Sequence, residues 1–181
     1  MNVVNFPKDR VIGSLPSPQS KIVRSSQFQT NGNVSVDVNQ LAERLGARIE
    51  HRKPKVVSRK GAVYFNEVEQ KYVVLVNPDT SENIQRYTIA HELSHILLHP
   101  EEIGKGHPVY RGDVKGMSSI EREADALAAE ILMPARLIFQ RVMRVGYDIS
   151  SLSNEFAVSD EAMEIRLSEV LLKNSRTLTS P

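Results

Sequence analysis

Two histidines four residues apart enclose a glutamate in His91-Glu92-Leu93-Ser94-His95, the HExxH pattern. Side chains at i and i+4 share one helix face, so both imidazoles can reach a single divalent ion at about 2.0–2.1 Å. Glu92, between them in sequence, can then address a water on that ion. The pentapeptide fixes only three positions, and two satisfied interior histidines with a surface acid are its plain alternative. A third ligand is therefore required. His99 does not qualify, because eight helical residues rise about 12 Å and one ion cannot be held by His91 and His99 together. The longer pattern HExxHxxGxxH also fails, since Leu98 and Glu101 stand where it needs Gly and His.

A carboxylate from a separate helix is the remaining source. The segment 118–133 offers Glu121, Glu123, Asp125 and Glu130. Placed at 100° per residue, its apolar face is Ile120, Ala124, Leu127, Ala128, Ile131 and Leu132. Glu121 lies at the margin of that face with Asp125 one turn along the same flank, whereas Glu123 and Glu130 point away. One of the first pair can bind the ion while the other accepts the outer N–H of a ligating histidine. The competing readings are a Ser118-x-x-Glu121 capping box and a solvated Asp125.

These groups need elements to hold them. Asp37 and Gln40 open a helix whose apolar spacing runs through Val38, Leu41, Ala42 and Leu45 and stops at Gly46. Apolar runs at 62–65 and 72–76, separated by a polar segment, predict a hairpin ended by Asn77-Pro78-Asp79. The HExxH helix spans about 80–99, with Asp79 and Glu82 in capping-box spacing and Pro100 at its far end. Residues 101–118 form a glycine-rich loop; His107, Tyr110 and Arg111 within it are ordinary loop residues that could also serve as oxyanion donors. Helical patterns follow at 135–145 and 159–172. Residues 1–33 are Pro-, Ser- and Asn-rich without periodicity and read as an irregular extension.

Composition narrows the class. The 181 residues are 40% hydrophobic and 25% charged, with no cysteine, which excludes disulfide scaffolds, zinc ribbons and thiol nucleophiles. No apolar run is long enough to span a bilayer, no signal-peptide stretch opens the chain, and a cytoplasmic home is expected. Residues 1–60 hold 11 Lys/Arg against 4 Asp/Glu, and residues 61–181 hold 12 against 18. The basic front half lacks interleaved aromatics and reads as solvated surface, so direct nucleic-acid binding is not expected.

The blocks Arg86-Tyr87-Thr88-Ile89-Ala90-His91-Glu92-Leu93-Ser94-His95 and Glu121-Arg122-Glu123-Ala124-Asp125, the latter running on to Leu132-Met133-Pro134, closely resemble the ImmA/IrrE family of zinc metallopeptidases. The resemblance covers about residues 36–140. It implies an α+β, zincin-like domain over 34–140, with helices on a short, mostly antiparallel sheet. A C-terminal helical segment, 141–181, resembles a helix-turn-helix. By the same resemblance His91, His95 and Glu121 bind one Zn²⁺ and Glu92 activates water, with Glu123 the rival third ligand; the helical-flank spacing above makes Asp125 the support of a ligating histidine. Ser94 stands where Gly is common and Leu127 where Phe is common, which implies altered packing without loss of metal.

Several members of that family cleave helix-turn-helix repressors of phage, mobile-element or stress-response genes, and that is the protein substrate the resemblance implies. The extended substrate is expected beside an edge strand, residues 72–76. The acidic balance of 152–173 argues against phosphate binding and favours a helical pair packed on the domain. A zinc-stabilised module that sequesters a regulator without cutting it is the alternative, and a DNA-binding regulator is a further one.

Overall fold

The structure is a computed structural model, and it describes residues 34–53, 60–106 and 119–177. The extension 1–33, Ser118 and the loop residues His107, Tyr110 and Arg111 lie outside the described residues. Asp37 caps α1 (Val38–Arg44), its Oδ1 accepting from the amides of Asn39 and Gln40 at 3.0 Å each. Gly46, at φ +68°, then turns the chain into β1 (Ala47–His51).

β2 (Gly61–Asn66) and β3 (Lys71–Val76) form the expected hairpin, with Gly61 opposite Val76 and Asn66 opposite Lys71. Asn66 Oδ1 closes the turn by accepting from the amides of Val68 and Glu69. β4 (Gly104–Lys105) completes a sheet of order β1-β3-β2-β4. The α+β class stands. The sheet is mixed, with β1–β3 and β2–β4 parallel and only β2–β3 antiparallel.

β3 is therefore interior, which corrects the expectation that 72–76 offers an edge. Val73, Val74, Leu75 and Val76 are all buried, and a continuous apolar run of this kind marks a strand covered on both faces. β1 went unread because its charges stay in solvent: Arg48 donates to Glu69 at 2.8 Å and pairs with Glu50, leaving Ala47 to the core.

α2 (Glu82–Leu98) lies between the sheet and α3 (Ser119–Leu132). Its N-cap is Ser81, and the Asp79 capping box does not form. The turn closes on Asn77 instead: Asp79 donates its amide to Asn77 Oδ1, and Thr80 Oγ1 donates to the Asn77 carbonyl, so the helix starts two residues later. Pro100 ends α2 as expected and opens a 3-10 turn, Pro100–Glu102.

α4 (Ala135–Val145), α5 (Ile149–Phe156) and α6 (Asp160–Thr177) follow. Leu152, Phe156, Met163, Leu167 and Val170 share one core with Val36, Leu41, Leu93 and Leu127. Two guanidinium groups, the half-buried Arg86 and the buried Arg166, tie the parts together. Arg86 donates to the carbonyls of Val36 at 3.0 Å and Ala157 at 3.1 Å, and Arg166 donates to the Met133 carbonyl at 3.0 Å while pairing with Glu130. Among the described residues no helix is long and apolar enough to cross a membrane.

Candidate metal centre

α2 buries Leu93, Ser94 and Leu97 and presents His91 and His95, one turn apart, towards the first turns of α3. His91 Nε2 stands 3.1 Å from His95 Nε2 and 3.2 Å from Glu121 Oε2, and His95 Nε2 is 3.7 Å from that oxygen. Three donors held tetrahedrally at about 2.0–2.1 Å from one ion stand roughly 3.3 Å apart, a separation these distances bracket. The set of two imidazole nitrogens and one carboxylate oxygen suits a borderline divalent ion. His91, His95 and Glu121 are thus placed to hold a metal ion.

His91 Nδ1 lies 2.8 Å from Asp125 Oδ1. An ionised carboxylate only accepts, so this nitrogen carries the hydrogen and Nε2 faces His95 and Glu121. In the metal-free protein burial disfavours a charged His91 ring, but the hydrogen bonds to Asp125 and Glu121 outweigh it and hold the ring's pKa up at about 10. The bonds from His91 and His95 keep the Glu121 carboxyl well below the usual carboxylate range, against the opposing effect of burial. Tyr87 OH also donates to Asp125 Oδ1, at 3.2 Å, and burial with the adjacent carboxylate pushes its phenol above the usual range.

Glu92 is 8% exposed and sits against the start of β2, where a Cβ on Gly61 would come 3.3 Å from Glu92 Oε1. The rival Glu123 is outside the donor cluster, its Oε2 lying 3.7 Å from His99 Nε2. His99 is the C-cap of α2, as its position implied, and burial followed by the neighbouring His95 lowers its pKa. Glu130 is turned to Arg166. Ser94 is fully buried with its hydroxyl bonded to the Ala90 carbonyl at 2.8 Å, so the residue in place of Gly is accommodated within the helix.

Two contributors escaped sequence reasoning. Tyr87 carried a usable signal, since it precedes His91 by four and so shares its face. Gly61 carried none, because only the approach of β2 to α2 reveals why a side chain is missing there.

The family model described as an IrrE N-terminal-like domain matches residues 42–168. The chain belongs to that family, Peptidase_M78. The IrrE-like match spans α2 and α3 and with them His91, His95 and Glu121. A curated relative, the radiation response metalloprotease IrrE of Deinococcus deserti, is 37% identical over 79 residues, covering 42% of this chain and 28% of the relative. A solved structure, a Mycobacterium tuberculosis transcriptional regulator, superposes with a TM-score of 0.50 at 18% identity, over 82% of this chain and 46% of that one. It shares the fold. The chain thus spans less than half the length of either protein.

Proposed function

We propose that this chain is a zinc-dependent endopeptidase that hydrolyses a peptide bond in a protein substrate. The substrate class is a helix-turn-helix transcriptional repressor of a phage, mobile-element or stress-response system. The observation that carries this reading is the convergence of His91 Nε2, His95 Nε2 and Glu121 Oε2 beside the buried Glu92. The relative named a metalloprotease supports it.

His91, His95 and Glu121 are the residues that would hold zinc, which when bound lowers the pKa of a water and polarises a carbonyl. Glu92 takes a proton from the attacking water and returns it to the leaving amine. Its burial between α2 and β2 fixes where that carboxylate works. Asp125 keeps the Nδ1 hydrogen of His91 engaged, so that Nε2 offers its lone pair to the metal.

An extended substrate segment would pair with β2. β4 reaches only Tyr64 and Phe65, and among the described residues no strand pairs with the outer flank of 61–63, next to Glu92. In this reading residues 34–140 carry the chemistry and the helices after residue 140, as far as Thr177, buttress it. Lack of cysteine agrees with a reducing cytoplasmic setting.

The test is to incubate the zinc-loaded protein with candidate helix-turn-helix repressors from the same genome and read the products by mass spectrometry. Wild type yields two fragments, whereas Glu92→Gln yields none while retaining about one zinc per chain. Tight repressor binding by wild type without cleavage would replace the peptidase with the sequestering module.

A further inference from the structure

Asp125 accepts two hydrogen bonds on one oxygen. His91 Nδ1 approaches Oδ1 at 2.8 Å, and the Tyr87 hydroxyl donates to the same atom at 3.2 Å. Tyr87 and His91 stand one turn apart on α2, and Asp125 reaches them from α3. Tyr87 is half-buried with its ring packed against the core, which fixes the phenol relative to the helix that carries both histidines. Glu121 meets the other nitrogen of the same ring, so α3 engages His91 from both sides.

A partly exposed carboxylate bonded only to an imidazole can rotate about its own side chain and carry the ring with it. A second donor, rooted one turn away on α2, removes that freedom. We propose that Tyr87 is a positioning residue of the metal centre: its hydroxyl fixes Asp125 Oδ1, and Asp125 in turn holds His91 with Nε2 directed at His95 and Glu121. The proposal rests on the metal-binding reading above. Phenylalanine would fill the same volume and pack against the same core, so the hydroxyl alone carries the effect.

The experiment is a zinc competition titration against a chromogenic chelator, run on wild type, Tyr87→Phe, Asp125→Ala and the double variant. Thermal unfolding of the four metal-free proteins separates a folding loss from a metal-binding loss. Loss of an outer hydrogen bond to a metal-ligating histidine typically weakens binding 10–100-fold, and Tyr87→Phe, one bond further out, is expected to cost about tenfold. In the Asp125→Ala background the same substitution should cost less than about twofold, because the route from Tyr87 to His91 is gone.

Unchanged zinc affinity in Tyr87→Phe would overturn the proposal. So would an equal loss in both backgrounds, which would make Tyr87 a packing residue. Wild type that binds no zinc would overturn the metal reading and this proposal with it, an outcome distinct from the other two.

Discussion

An alanine at position 61 would place its methyl carbon 2.3 Å from Thr88 Cγ2, 2.8 Å from the Leu75 carbonyl oxygen and 3.3 Å from Glu92 Oε1. Carbon atoms in contact stand about 3.5–4.0 Å apart, so the first gap must open by more than about 1 Å. Thr88 cannot simply rotate, because its hydroxyl donates to the Ile84 carbonyl at 2.8 Å and its side chain is 5% exposed and β-branched. Leu75 is held in the centre of the sheet between β1 and β2. Relief has to come from moving β2 away from α2, the helix that carries Glu92 and both histidines. Overpacking of this kind costs about 1–3 kcal/mol, equivalent to a fall in Tm of roughly 5 °C for a protein of this size. Urea and thermal unfolding of the metal-free protein read the cost without contribution from bound metal. Thr88→Ser keeps the hydroxyl and deletes Cγ2, and alone it should cost about 0.5–1.5 kcal/mol, as for loss of a buried methyl. In combination the two substitutions should recover about 1 kcal/mol relative to the sum of the singles, with the Leu75 carbonyl preventing full recovery. Strict additivity, or a Gly61→Ala protein as stable as wild type, would refute the reasoning that close approach of β2 to α2 is what excludes a side chain.

Elemental analysis should find about one zinc per chain in wild type and in Glu123→Ala, and none in Glu121→Ala, since among the described residues Glu121 is the acid that joins the histidines. Adding zinc at about 1,000 times its dissociation constant should stabilise the fold by about 4 kcal/mol, read as a rise in Tm that a chelator reverses. In the metal-free protein the raised His91 pKa contributes stability present below about pH 6.5 and lost as pH rises through about 10. The depressed Glu121 pKa contributes stability present above about pH 4.5 and lost as pH falls. Unfolding free energy measured across pH should show both losses, and His91→Gln should flatten the alkaline one. Arg166→Leu leaves the buried Met133 carbonyl without its donor and should cost about 1–3 kcal/mol, seen as a lower urea midpoint at unchanged slope.

What could be read from the sequence follows from how local each determinant is. His91, His95, Glu121 and Asp125 were legible because helical periodicity converts spacing into direction, and the same angular argument turned Glu123 away, to where it meets His99. The start of α2 was misplaced by two residues because Asp79 and Ser81 are both competent caps, and the choice between them was made by an Asn77 turn whose hydrogen bonds are not visible as a pattern. β1 is five residues long and β4 two, too short for alternation to stand out, and β1 carries two charged side chains, Arg48 and Glu50, that pair with each other on the solvent side while Arg48 also reaches Glu69. Sheet order is a tertiary property, yet one part of it was readable: an apolar run with no polar alternation belongs inside a sheet, so Val73 to Val76 could have been assigned to the centre. That assignment matters for chemistry. With β3 enclosed, β2 becomes the strand that runs past Glu92, and the missing side chain at Gly61 becomes a requirement of the same packing that positions the carboxylate.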